Sequence, residues 1–211
     1  VNSIKEIFPD HAFLGEESHS DSIEEENLWI IDPIDGTTNF AHGVPHIAVS
    51  IAYAKKGEIL AGVVYNPITK DLYTSEKGKG AFHNGDKVEV TACEKLSEAL
   101  VASGFYYDRG QMMEDTLRTI QKLFSLNIHG LRRYGTAALD LCFIGCGRFD
   151  MYFEYKLNPW DYAAGVLFVR EAGGLVTDCY GEDLGLKQSS ILAANGVLHK
   201  ETLEVIKPFL R

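Results

Sequence analysis

Residues Leu28 to His42, LWIIDPIDGTTNFAH, constrain this chain more than any other stretch, because an apolar run delivers two acids directly into Gly, Thr and Thr. Leu28, Trp29, Ile30 and Ile31 are short in number and rich in β-branched and aromatic side chains, which predicts a buried strand. Pro33 and Gly36 predict its end, with Asp32 at the carboxyl end of the strand and Asp35 in the turn beyond. Gly36, Thr37 and Thr38 can then open a short helix. Its first backbone N–H groups lack partners inside the helix and suit a phosphate. Two carboxylates beside an anion seat repel the anion unless a cation lies between them, and hard oxygen ligands suit Mg²⁺. The plainer alternative is that Asp32 caps a turn and Asp35 a helix.

At 211 residues, 45% hydrophobic and 24% charged, the chain can bury a substantial core as one large domain or two packed halves. A net charge of −10 argues against nucleic-acid and anionic-membrane surfaces, which are bound through clustered Lys and Arg. No apolar run is long enough to span a bilayer and no signal peptide is visible. Cys93, Cys142, Cys146 and Cys179 form no CxxC pair and have no His at zinc spacing. Cys142 and Cys146 lie one helical turn apart beside apolar residues and read as packed thiols. A reducing, cytoplasmic compartment follows.

Val1 to Phe8 carries Ile4, Ile7 and Phe8 at helical spacing with no cap ahead, so it reads as the tail of a longer helix. Ala12 to Glu16 predicts a short strand that delivers Glu16 and Glu17 to a loop, where only one of two adjacent acids can face a given site. Asp21 and Glu24 to Glu26 read as a solvated acidic loop. Residues 47–54 and 59–65 predict a hairpin; 71–75, 80–82 and 87–90 continue it as one antiparallel sheet. His42, His46 and His83 lie along it and are assigned no role. Beyond a boundary near Thr91 to Ser97 the pattern changes. A segment 96–102 leads to a strand and 111–124 fits an amphipathic helix. Strand 128–132, helix 136–145, strand 149–153, helix 161–172, strands 175–178 and 191–194 and helix 200–210 follow, an α/β half. The halves are 1–95 and 96–211, and a cleft between them is the natural ligand site. Asp161, at the start of its helix, is either a cap or a contribution of the second half to the Asp32–Asp35 cluster.

DPIDGTTNF at 32–40, with GEES at 15–18, NPWDYAAG at 158–165 and REAGG at 170–174, resembles the inositol monophosphatase family of Mg²⁺-dependent, Li⁺-sensitive phosphatases. Separated motifs in the right order are far more specific than a lone Gly-rich match. The resemblance runs nearly from end to end. It implies an α+β sugar-phosphatase fold, a layered αβαβα sandwich of an antiparallel-sheet half and an α/β half. It further implies that the family's upstream long helix and hairpin, with an acid in a DxVTxxD pattern, fall outside this sequence.

By the same resemblance Glu16, Asp32 and the carbonyl of Ile34 hold one Mg²⁺, and Asp32, Asp35 and Asp161 hold a second, with a looser third near Glu16. Glu16, Thr37 and Asp35 are the expected catalytic residues, Thr37 and Glu16 orienting and deprotonating the attacking water. Gly36, Thr37, Gly135, Thr136, Ala137, Glu154 and Asp161 are expected to line the substrate, a small-molecule phosphate monoester, with Glu154 accepting from ring hydroxyls. Arg132 or Arg133 either reaches a phosphate or salt-bridges the scaffold, and surface Arg statistics favour the scaffold. Asn158 stands where some relatives have other residues. Inositol 1-phosphate is the leading substrate, with fructose 1,6-bisphosphate and histidinol phosphate as alternatives. TTNF after DPIDG favours the inositol branch over the nucleotide-phosphate branch. The resemblance also implies a homodimer. A reading from another class is a non-catalytic metal- and phosphate-binding module.

Overall fold

The run that begins at Leu28 is the second strand of a seven-stranded sheet, and it continues past its proline. The computed structural model describes residues 1–17 and 21–210, so Ser18, the last residue of GEES, lies outside them. The first sheet contains β1 (Ala12–Gly15), β2 (Asn27–Asp35), β3 (Ala48–Lys55), β4 (Glu58–Asn66), β5 (Asp71–Glu76), β6 (Gly80–His83) and β7 (Asp86–Val88), in that spatial order. From β2 onward each neighbour is antiparallel, as the hairpin pattern predicts, whereas β1 lies parallel to β2.

The end of β2 corrects the sequence reading. Asp32 pairs with Ser50 and Asp35 with Ala48, so three steps along β2 match two along β3. The extra residue makes a bulge at Pro33, one of the few places where a strand tolerates a residue without an N–H. Strict alternation would send Asp32 and Asp35 to opposite faces; the bulge restores both to the interior, 1% and 8% exposed.

The second sheet has the order β11-β12-β10-β8-β9, built from β8 (Leu100–Ser103), β9 (Gly130–Arg132), β10 (Met151–Leu157), β11 (Leu175–Thr177) and β12 (Ser189–Ala194). β10 runs parallel to β8 and antiparallel to β12, so this sheet is mixed. Its helices are α3 (Gln111–Ser125), α4 (Ala137–Gly145), α5 (Pro159–Glu171) and α6 (Gly196–Ile206); α1 (Asn2–Ile7) and α2 (Thr37–Ala41) belong to the first half.

Helices α4 and α5 lie between the two sheets. Ala138, Leu139, Cys142, Ala163, Ala164 and Phe168 share one core with Leu28, Ile30 and Ala52 of the first sheet. Leu141, Ile144, Tyr162 and Val166, from the opposite sides of those helices, share another with Tyr152, Ile191 and Ala193 of the second. On the far face of the second sheet, Leu123 of α3 and Leu198 and Ile206 of α6 pack with Phe153 and Leu192. On the outer face of the first, Lys5 of α1 lies 5.1 Å from the centre of the Phe13 ring. The layers are therefore helix, sheet, helices, sheet, helices.

Small residues make the central layer possible. A Cβ on Gly165 would stand 2.7 Å from Leu141 Cβ, and one on Gly62 3.0 Å from the Ala164 carbonyl oxygen. The small residues around Ala163, Ala164 and Gly165 are thus pressed against both a helix and a sheet. Several boundaries move. The predicted helix 200–210 begins earlier, because the Asn195 side chain accepts from Val197 N and Leu198 N, and ends in a 3₁₀ turn at Lys207–Phe209. Strand β10 is displaced towards Leu157, and α5 begins at Pro159, two residues before the predicted Asp161.

Candidate active site

The carboxyl end of β2, the start of α2, the start of α4, the end of β10 and the start of α5 open on one cavity of about 150 Å³. Glu16, Asp32, Ile34, Asp35, Gly36, Thr37, Gly135, Ala137, Glu154 and Asp161 all line it. Glu17 does not line it, in keeping with one acid of the adjacent pair facing inward. A larger groove of about 540 Å³ runs past Gln111, Asp115, Tyr155 and Ser190, but the convergent acids are in the smaller cavity. Convergent chemistry, rather than volume, marks the candidate site.

Three of the acids are held alike. Asp32 Oδ1 accepts from Ile34 N at 2.9 Å, Asp35 Oδ2 from Ala138 N at 2.8 Å, and Asp161 Oδ2 from Asn158 N at 2.7 Å. Each carboxylate has one oxygen pinned by a backbone N–H, which leaves the other for a ligand. For Asp35 the N–H comes from the first turn of α4, so a helix 103 residues along the chain orients an acid of β2. For Asp161 the bond closes back on the residue ahead of its own helix. The cap and the site residue foreseen as alternatives are therefore compatible in one side chain.

Burial, and then crowding, raises these acids. Burial, then Glu16, pushes Asp32 up to about 7 despite the Ile34 N–H. Burial, then Asp32 and Asp161, holds Asp35 well above the usual carboxylate range. Burial takes Asp161 to about 6, with the Asn158 N–H opposing and Glu16 adding to it. Glu16 is raised by burial and by Glu17. Carboxylates that raise one another in a shared cavity are the oxygen donor set a hard divalent cation would relieve. Among the described residues, no three His, Cys, Asp or Glu stand ready-made as a coordination group, so the residues fit such an ion by donor type and shared cavity.

On the opposite wall, Glu154 is 8% exposed and accepts from Tyr152 Oη at 2.6 Å. Burial pushes it up to about 7. Thr136 departs from the expected set. It does not line the cavity; its hydroxyl donates to the His46 carbonyl at 2.8 Å, and the residue is 1% exposed. It ties the start of α4 to the segment ahead of β3.

Among the lining residues that the sequence does not single out are two tyrosines. Tyr106 and Tyr107, on the segment after β8, form part of the rim, Tyr107 with 72% of its surface exposed. Arg133 faces the cavity, while Arg132 turns its guanidinium back to the Leu131 carbonyl. Among the described residues neither arginine forms the scaffold ion pair that was favoured. Adjacent basic residues at the end of a short strand give no signal of which one turns inward.

Comparison with known proteins supplies the frame for this geometry. The model of the "Inositol monophosphatase family" matches residues 1–209. The chain is similar to "Inositol-1-monophosphatase" of Caulobacter vibrioides, 44% identical over 94% of this chain and 79% of that protein. It is equally similar to "Putative Nus factor SuhB" of Neisseria meningitidis, 44% identical over 98% of this chain and 79% of the relative. "Fructose-1,6-bisphosphatase/inositol-1-monophosphatase" of Thermotoga maritima is 37% identical over 98% of this chain and 77% of its own length. The solved inositol monophosphatase from Anabaena superposes with a TM-score of 0.92 at 38% identity, covering 98% of this chain and 82% of that one. Motif order, two-sheet fold and a match along almost the whole sequence agree, and the chain belongs to the inositol monophosphatase family.

Proposed function

We propose that the chain hydrolyses phosphate monoesters with Mg²⁺, and that its substrate is inositol 1-phosphate. One observation carries the reading: Glu16 after β1, Asp32 and Asp35 of β2, and Asp161 of α5, from three separate segments, line a single cavity beside the Gly36–Thr37 turn. Glu16, Asp32 and the Ile34 carbonyl would hold one Mg²⁺; Asp32, Asp35 and Asp161 would hold a second. When bound, such ions polarise a phosphoryl group and lower the pKa of water at the site.

The chain's own groups do the rest. The backbone N–H groups of Gly36 and Thr37 donate to phosphate oxygens as charge moves onto them. Thr37 Oγ1 accepts a hydrogen bond from the attacking water and the Glu16 carboxylate takes its proton as the new P–O bond forms; the ester P–O bond breaks on the opposite side, the departing alkoxide takes a proton from solvent water, and this direct in-line attack needs no phosphoenzyme. Glu154 accepts from a ring hydroxyl, a role that suits a carboxylate because it can accept more than one bond. A small-molecule substrate also accords with a net charge of −10, which does not favour a nucleic-acid partner. The free thiols of Cys93, Cys142, Cys146 and Cys179 suit the reducing cytoplasm.

A second substrate is favoured by Arg133, a cation on the cavity wall that acts on Glu154 and Asp140 yet forms no close ion pair among the described residues. A guanidinium in that position suits a second phosphate, as in fructose 1,6-bisphosphate. Phosphate release, with and without Mg²⁺, from inositol 1-phosphate, fructose 1,6-bisphosphate and histidinol phosphate decides between them. The leading reading expects Mg²⁺-dependent release fastest from inositol 1-phosphate. Release without added metal, or from none of the three, refutes it.

A further inference from the structure

Six buried side-chain atoms among the described residues lack a hydrogen-bond partner, and half belong to two residues in contact: His46 Nε2 and both carboxylate oxygens of Asp140. The Asp140 side chain is fully buried, that of His46 16% exposed, and Nε2 lies 3.9 Å from Asp140 Oδ1. Such groups are costly to leave unpaired. A shift of about 1 Å makes the contact a hydrogen bond. The His46 ring is confined by Tyr134 at 4.9 Å and Phe143 at 5.7 Å between ring centres.

The main chain of His46 is a junction. Its carbonyl accepts from Asn39 Nδ2 of α2 and from Thr136 Oγ1 just ahead of α4, each at 2.8 Å. A Cβ on Gly36, which has φ +90°, would stand 3.2 Å from that carbonyl oxygen and 2.5 Å from Thr136 Oγ1. The turn next to the phosphate position therefore rests on the His46 main chain, while the His46 side chain reaches the first turn of α4 at Asp140.

We propose that His46 and Asp140 are a positioning pair, whose side-chain contact fixes the His46 carbonyl and, through it, the Gly36–Thr37 turn against the start of α4. The pair rests on the hydrolase reading, since its effect is on phosphate held at that turn. Burial takes His46 down to about 4, and burial together with Glu154 raises Asp140 well above the usual range against the pull of Arg133. Both directions disfavour a charge-paired contact between the two side chains.

His46→Phe, Asp140→Leu, the double variant and Asp140→Asn provide the test. Inorganic phosphate binding in the presence of Mg²⁺ is measured by calorimetry, alongside kcat, KM for inositol 1-phosphate and Tm. Each disruptive single variant is expected to weaken phosphate binding and raise KM about fivefold, the scale of one net hydrogen bond. The double variant should be no worse than the poorer single, and Asp140→Asn, whose amide can still donate to Nε2, should stay within about twofold of wild type. Additive losses in the double variant overturn the pair. So does a fall in Tm with phosphate binding and KM unchanged, or an Asp140→Asn variant as poor as Asp140→Leu. A wild type that binds phosphate without turnover removes the hydrolase reading and leaves the pair to be judged on binding; one that does neither overturns both.

Discussion

Asp35 does two jobs with its two oxygens. Oδ2 caps α4 through Ala138 N, while the other oxygen is left for a ligand. Asp35→Asn separates these roles, because the amide oxygen can still accept from Ala138 N. The expected result is a loss of Mg²⁺-dependent turnover by roughly 10²-fold or more, with little change in Tm. Near-normal turnover in that variant contradicts the two-ion assignment. The acids themselves were legible in the sequence because DPIDG, GEES and NPWD print them at motif spacing. Thr136 and His46 were not. A threonine beside a glycine looks like a pocket residue, and a lone histidine looks inert, until the tertiary fold brings them together across a separation of 90 residues.

At the scale of elements, the informative feature is the bulge at Pro33. From sequence, Pro33 and Gly36 read as a strand end, which is the ordinary consequence of losing an N–H. Only the pairing with β3 shows that the strand runs on and that the bulge turns Asp35 to the same interior as Asp32. Apolar alternation made most strands legible, and period-2 patterning explains why the hairpins were found in order. The mixed second sheet was less so, since strand direction depends on crossovers that periodicity does not encode. The layer between the sheets depends on α4 and α5 approaching closely at Gly165. Gly165→Ala should destabilise the fold by about 1–3 kcal/mol, measured by urea unfolding, because the new methyl meets Leu141. An unchanged or raised midpoint would mean that this contact yields without strain.

For the whole molecule, the acid cluster couples stability to pH and metal. Asp32 and Glu154, raised to about 7, and Asp161, raised to about 6, bind protons more tightly folded than unfolded. Their contribution is fully present below the unfolded carboxylate pKa and is lost as pH rises through 6 to 7. His46 and His199, both lowered by burial, act in the opposite direction below their ordinary value of 6.5. The comparison is therefore cleanest between pH 6.5 and 8.5. Metal-free protein should melt at a lower temperature at pH 8.5 than at pH 6.5, and Mg²⁺ should raise Tm more at the higher pH. Equal stabilisation at both pH values contradicts a cluster whose charge the ion neutralises.

Shared coordination by acids from distant segments is tested most directly by calorimetric titration of Mg²⁺ into wild type, Asp35→Asn and Asp161→Asn, each shown to be folded by Tm. Saturable binding in wild type that weakens at least about tenfold in both variants is the predicted result. Equal binding in all three, or none in wild type, would contradict it.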